Sequence, residues 1–442
     1  MCKKTKKRIA LVFDEDYLGS YPSFIESISI LSKNGYSVDI IGVNRCTNFP
    51  KPPEFEKNVN FISLHLKSTI CRDYSNDQFT GNVAHSNSHV YKTSLLKSFI
   101  PQKLKSYFRN KINNVNFNIA TFNIQKTIFI DSIKYIFFVL ITILRRKYDI
   151  VIGVDLGGGC AAYISSLILS TDKLVYWGLE ITTKQQPMLA KKLLKFFEIR
   201  MCKKADLLLS TDLSRIKDVC NENNTSLSNR SIICLPHSPS GFSTQFESVY
   251  FQQMFSLDMD SIIILHSGWI HEVMQSKSLA QASRGWPNEW KLVFHERMTR
   301  NSSEPYIKEV ENAGGQNLYL SLNPVQYNKI DKVIASSTIG VVIYGNSNEW
   351  GTSWVSLAKG SGKIAHYLKC GKPVVCVNIP GLKEIVTKYQ CGILFNDVNE
   401  IHSAILEILK NYSFYSSNAL KCYKNEYEFS NYFNNFLEYT RN

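Results

Sequence analysis

The segment Lys359-Gly-Ser-Gly-Lys-Ile-Ala-His-Tyr-Leu-Lys-Cys-Gly-Lys-Pro-Val-Val375 has the spacing of a site for a phosphorylated ligand. Gly360, Ser361 and Gly362 make a small-residue turn that opens a helix ending near Cys370-Gly371. Such a turn leaves the first backbone N–H groups of the helix without internal partners, at the positive end of its dipole. A diphosphate is a natural guest there. Ser361 can add a hydroxyl donor and Lys363 a cation. The letters GSGK do not make a P-loop. That motif requires Gly at 357 and Ser or Thr at 364, where the chain has Leu357 and Ile364.

A second glycine cluster suggests different chemistry. Gly157-Gly-Gly-Cys-Ala-Ala162 follows an apolar strand and fits GxGxxA, with Glu180 23 residues on at the end of the next strand. In outline this is a dinucleotide fingerprint and implies a nicotinamide enzyme. Yet the strand is not the first of its half, and this reading leaves the 359–375 segment without a purpose.

Both segments need a scaffold, and the chain supplies alternating strands and helices twice. In the first half, buried-type strands are predicted at 8–13, 37–43, 149–155, 173–177, 206–209 and 231–235. After the first strand, Gly19-Ser20 and then Pro22 mark a loop leading into a helix that Gly35 caps. In the second half, strands are predicted at 261–265, 291–294, 317–320, 339–344, 373–377 and 392–395. Short apolar strands between amphipathic helices imply parallel sheets covered on both faces, with ligands at the carboxyl ends of the strands. The expected domains are 1–240, interrupted by an irregular basic insertion at about 66–126, then a linker at 241–258 and a second domain at 259–411. A C-terminal helix at 412–442 is expected to pack back on the first domain.

Composition excludes several classes. With 442 residues, 44% hydrophobic and 20% charged, the chain is long enough for two globular domains. Eleven cysteines without a CxxC pair point to reduced thiols rather than a disulfide framework or a zinc site. The most membrane-like run, Tyr135–Leu144, is ten residues long, short of the roughly twenty needed to span a bilayer. The chain carries 51 basic and 37 acidic residues, a net charge of +14, unevenly placed. Between Lys92 and Lys147 eleven basic residues face only Asp131, and between Lys184 and Lys204 seven face only Glu198. Without a recognition motif these stretches do not indicate nucleic acid; an anionic membrane surface is the expected partner.

The ordered pieces resemble the retaining glycosyltransferases of family 4, which have the GT-B architecture. Gly360-Ser-Gly-Lys363, Tyr367-Leu368, Gly371-Lys-Pro-Val-Val375, Pro380-Gly-Leu-Lys-Glu-Ile-Val386 and Gly392 resemble their donor-binding half. Ala205–Asp212, Leu235–Pro239, His266–Ile270 and Leu292–His295 resemble other family segments in the family's order. The likeness covers most of the chain apart from roughly residues 50–130.

That resemblance implies an α/β fold of two Rossmann-like domains facing a cleft, with a nucleoside-diphosphate sugar as co-substrate and neither cofactor nor metal. The donor side would comprise Gly268, His295, Gly360, Ser361, Gly362, Lys363 and His366, and the acceptor side Gly19 and Ser20. Asp155, Glu180 and Lys363 are the expected catalytic groups, with Glu198 at a further matching position. The implied reaction is metal-independent, retaining transfer to a saccharide or polyprenyl-diphosphate-linked saccharide in bacterial surface polysaccharide synthesis. The protein would then be cytoplasmic and peripheral on the inner face of the plasma membrane. The chain departs from the pattern in three places. Ala358 and His366 stand where many members have two glutamates, and Trp269 stands where an arginine is usual. An imidazole can still bond a ribose hydroxyl, and Lys363, Lys277, Arg297 or Arg300 could replace the cation. The alternatives are a non-catalytic partner of this fold and a sugar-nucleotide epimerase.

Overall fold

A computed structural model describes residues 7–15, 18–44, 48–66, 119–185, 189–228, 230–242, 247–345 and 357–441. Most of the expected 66–126 insertion, and the side chain of Ser20, therefore lie outside the described residues.

The first half runs β1 (Arg8–Phe13), α1 (Pro22–Lys33), β2 (Ser37–Asn44), β3 (Val59–His65), α2 (Ile119–Arg146), β4 (Ile150–Val154) and α3 (Asp155–Ile168). It continues through β5 (Lys173–Trp177), α4 (Leu189–Lys204), β6 (Leu207–Ser210), α5 (Leu213–Glu222) and β7 (Ser231–Cys234). All seven strands are parallel, in the order β3-β2-β1-β4-β5-β6-β7. Strand β3, unforeseen in the sequence, pairs with β2 at the edge and has no fully buried residue. Asn60, Ser63 and His65 leave it no continuous apolar run.

The second half begins with α6 (Tyr250–Phe255), β8 (Ile262–Ser267), α7 (Ser276–Ala282), β9 (Trp290–His295), α8 (Pro305–Gly314), β10 (Leu318–Ser321) and α9 (Ile330–Ala335). Then follow β11 (Ile339–Val342), α10 (Leu357–Gly360), α11 (Gly362–Lys369), β12 (Val374–Val377), α12 (Pro380–Tyr389), β13 (Gly392–Phe395), α13 (Ile401–Lys410), α14 (Tyr412–Cys422) and α15 (Phe429–Arg441). Its six strands are parallel in the order β10-β9-β8-β11-β12-β13. In both sheets the order reverses beside the first strand, which opens a crevice at the strands' carboxyl ends. Two such domains make an α/β protein of the GT-B fold.

The boundaries differ from the sequence reading in two places. Helix α6 falls within the expected linker, yet Phe251 is wholly buried in the second core, so the connection is shorter. At the other end, α14 and the turn after it stay on the second core through Ala419, Cys422, Tyr423 and Tyr427. Only α15 crosses back. Its Phe429, Phe433 and Phe436 fall one helical turn apart and pack against α1 and the first sheet.

The apolar run at 135–144 belongs to a helix of 28 residues, of which Lys126–Arg146 is long and apolar enough to cross a membrane by length and composition. It lies along the first sheet, burying Tyr135, Val139 and Ile143 there. The Gly157–Gly159 cluster is helical. A Cβ on Gly158 would lie 2.1 Å from the carbonyl oxygen of Val12, so this glycine lets α3 approach β1. The geometry explains the glycine without a bound dinucleotide.

Phe433→Ala should destabilise the first domain by about 3–5 kcal/mol. Urea unfolding of the full chain should show an earlier first-domain transition; an unchanged midpoint would mean that α15 is not part of that core.

Candidate functional site at the domain junction

Loop Gly268–His271 follows β8 at the crevice of the second sheet. Gly268 has φ +134°, a conformation that favours glycine, and its N–H donates to the His295 carbonyl oxygen at 2.9 Å. A Cβ there would sit 3.3 Å from Lys363 Cε and 3.4 Å from Nζ. The buried Glu296 carboxylate holds this loop, accepting from the N–H of Ile270 at 2.9 Å and of Arg297 at 2.8 Å. Arg300 closes the brace, with Glu296 at 3.5 Å and the Ile270 carbonyl oxygen at 3.2 Å. Burial raises the proton affinity of Glu296, against these donors and cations.

Helix α11 faces that loop. Ser361 is its N-cap but makes no capping bond; instead its hydroxyl accepts from Tyr344 at 2.5 Å. Lys363 lies over the Tyr344 ring, 4.9 Å from its centroid. Burial, reinforced by Arg297, lowers the Lys363 pKa to about 7, although Glu296 opposes the shift. This lysine is poised between its two protonation states near neutrality.

The phosphate-type turn is pressed against the first domain. A Cβ on Gly362 would lie 3.1 Å from Pro22 Cγ and 3.4 Å from the His237 carbonyl oxygen. A Cβ on Gly360 would be 3.6 Å from Arg215 Nη1. The His237 N–H donates to the Lys359 carbonyl oxygen at 2.7 Å, and its ring pairs with Ser23 Oγ at 2.8 Å. Burial, together with Arg215, His366 and Arg297, drives the His237 pKa down to about 3. Lys363, Arg297, Arg215, His237 and His366 therefore gather around one junction. Of the carboxylates nearby, Glu296 is committed to its loop, Glu180 to Arg215 at 3.3 Å and Asp331 to Lys369 and His366. The net field is positive, as an anion requires.

The sequence-predicted residues divide accordingly. Gly268, Gly360, Ser361, Gly362 and Lys363 come together. His366, on the next turn of α11, faces Asp331 at 3.8 Å and the Tyr327 ring at 5.9 Å. Burial pushes the Asp331 carboxyl up, but His366 and Lys369 outweigh it and bring it to about 2. The Tyr327 hydroxyl in turn donates to Glu26 of the first domain at 2.7 Å. The His295 side chain turns towards Ser321 at 2.9 Å, and burial lowers its pKa to about 4; its carbonyl is what reaches Gly268.

On the acceptor side, Asp155 is buried in a left-handed conformation, φ +52°, unusual for a residue with a Cβ. Its Oδ1 accepts from the N–H groups of Leu179 at 2.6 Å and Glu180 at 2.9 Å. Asp155 is thus a positioning residue for the loop that carries Glu180. The Glu180 side chain is 61% exposed, accepts from the Tyr21 hydroxyl at 3.2 Å and pairs with Arg215. Gly19 lies under the 50–51 backbone, where a Cβ would be 2.2 Å from the Pro50 carbonyl oxygen. Glu198 is buried with Lys195 at 2.8 Å and the Tyr176 hydroxyl, inside the first domain. Of the proposed replacement cations, Lys277 pairs with Glu309 at 2.9 Å and Arg300 braces its loop. That leaves Arg297, exposed beside the Trp269 ring at 5.4 Å. The sequence reading missed Arg215 and His237, whose proximity to α11 arises only when the domains meet. Among the described residues, no cluster of three or more His, Cys, Asp or Glu could hold a metal ion.

Comparison with known proteins fits this geometry. The fold is that of the GT-B glycosyltransferases. Residues 305–411, which include the α11 segment, match the family model described as glycosyl transferases group 1. No curated protein matches the chain by sequence. Sucrose-phosphate synthase from Thermosynechococcus elongatus superposes with TM-score 0.63 at 12% identity, covering 99% of this chain and 98% of its own. The E. coli trehalose-6-phosphate protein bound with UDP-2-fluoro glucose gives 0.59 at 13%, over 95% of both chains. Anabaena HepE in complex with UDP and glucose gives 0.59 at 11%, over 99% of this chain and 100% of its own.

A bound diphosphate should raise the proton affinity of Lys363, so pyrophosphate binding should weaken as pH rises above about 7 and take up protons at pH 8. Calorimetry in buffers of different ionisation heat reads the uptake, and Lys363→Met should abolish it. Equal affinity at pH 6.5 and 8.5 would place the phosphate site elsewhere.

Proposed function

We propose that the protein is a glycosyltransferase that binds a nucleoside-diphosphate sugar at the domain junction. It would transfer the sugar to a hydroxyl presented by the first domain. The observation that carries this reading is the gathering of Lys363, Arg297 and Arg215 around the opening of α11, with Glu180 already paired to Arg215 and Glu296 holding its own loop. The bound nucleotides of the E. coli and Anabaena neighbours make UDP sugars the first donors to test.

In the proposed reaction the sugar–phosphate bond breaks and the departing diphosphate gains negative charge. Lys363 and Arg297 stabilise that charge within a partly dry junction, where fixed cations act most strongly. They supply the positive charge that a divalent ion would otherwise bring, so the reaction is metal-independent. Glu180, held by the Asp155 clamp, orients the acceptor hydroxyl. The proton of that hydroxyl leaves with the diphosphate, and attack from the same face retains the anomeric configuration. The acceptor we propose is a saccharide or a polyprenyl-diphosphate-linked saccharide of a surface polysaccharide.

Incubation with a panel of nucleotide sugars and saccharide acceptors should release one nucleoside diphosphate only when both substrates are present. Arg297→Ala should lower kcat/KM by about 10²–10³. Nucleotide binding without release on any acceptor would favour a non-catalytic partner. Conversion of the donor with no acceptor would favour an epimerase, and an inverted product would overturn retention.

A further inference from the structure

Of the fifteen large apolar side chains exposed among the described residues, eight lie on α2, α3 and α4, adjacent helices covering one face of the first sheet. On α2, Ile130, Phe137, Ile141 and Leu144 fall within a stripe about 60° wide at 100° per residue. Buried Tyr135, Val139 and Ile143 occupy the opposite side of the helix, against the sheet. Phe137 is 51% and Leu144 55% exposed, so this stripe is a second apolar face on a helix whose first is already satisfied. Helix α4 repeats the device with Leu193 and Phe196, and Leu167 and Ile168 extend it at the end of α3.

The charge exposed on this layer is predominantly positive. Lys126 and Lys134 flank the α2 stripe, and Arg145 and Lys147 end it, with Arg146 turned to Asp39 at 3.1 Å. Arg200, over the Phe196 ring at 3.4 Å, lies with Lys203 and Lys204 along α4. Among the described residues, the one acid these helices leave partly exposed is Asp131, 14% exposed and paired with Lys134 at 3.3 Å. Residues 67–118, joined directly to α2, cannot neutralise the layer, because they carry eight basic and two acidic residues themselves.

We infer that the α2–α3–α4 layer is a docking face for an anionic lipid surface. Exposed aromatic and aliphatic side chains would enter the headgroup boundary while the flanking lysines and arginines meet acidic headgroups. Helix α2 would lie in the plane of the surface rather than cross it, since Tyr135, Val139 and Ile143 hold it to the sheet. The sheet runs from α2's basic end, before β4, to the cleft at the carboxyl end of β4. Docking therefore leaves the junction open towards membrane-borne acceptors. The inference extends the proposed transfer but does not depend on it.

Co-sedimentation of the full chain with vesicles tests it. Binding to phosphatidylcholine vesicles should be weak, rise as phosphatidylglycerol is added and fall in high salt, because exposed charges are screened within about 10 Å at 0.1 M. Phe137→Ser with Ile141→Ser should lower partitioning about tenfold or more, with pyrophosphate binding unchanged as the check on folding. Equal binding to neutral vesicles, no binding to anionic ones, or an unaffected double variant would overturn the inference. A dimer in solution that the same variant dissolves would assign the face to a second copy of the chain.

Discussion

The arrangement rests on one constraint, cations from both domains brought together at a junction whose carboxylates are already engaged. Burial penalises the protonated form of Lys363, and Arg297 penalises it further. Glu296 softens this but is itself buried and committed to the loop beside Gly268. Replacing a buried cation's solvation takes either a fixed counter-charge or a ligand. At this junction Glu180 serves Arg215, and Glu296 serves its loop and Arg300, which leaves the second for Lys363.

The fold positions these groups from both sides. The second domain contributes the Gly268 loop, α11 and Arg297, all at the crevice where its strand order reverses. The first contributes Arg215, His237 and the Glu180 loop, the last clamped by a strained aspartate. Contacts between the domains also secure the hinge. Lys359 meets Tyr432 of α15 at 3.2 Å, and Tyr423 donates to the Pro239 carbonyl oxygen at 2.9 Å. His366 joins this polar seam through Asp331 and Tyr327.

Much of the fold was legible in the sequence because parallel strands buried on both faces must be continuous apolar runs. The edge strand β3 and the true extent of α2 were not. An edge strand needs no such run, and Asp131, Ser132 and Lys134 interrupt the apolar pattern of α2 without ending the helix. The turn at Gly360–Gly362 was legible because small residues there lead straight into a helix, with Lys363 following in its first turn. Side-chain direction was not: His295 ends a strand on the side facing Ser321, and Asp155 spends its Oδ1 on two backbone N–H groups. Arg215 and His237 became visible only once the two domains were placed together.

The most direct measurement is the structure of the protein with UDP bound. The diphosphate should lie within hydrogen-bonding distance of Lys363 Nζ and the first N–H groups of α11, with Gly268 beside it and the Arg297 guanidinium turned towards it. A diphosphate seated instead on the Gly157–Gly159 end of α3, or UDP bound outside the junction, would contradict the account.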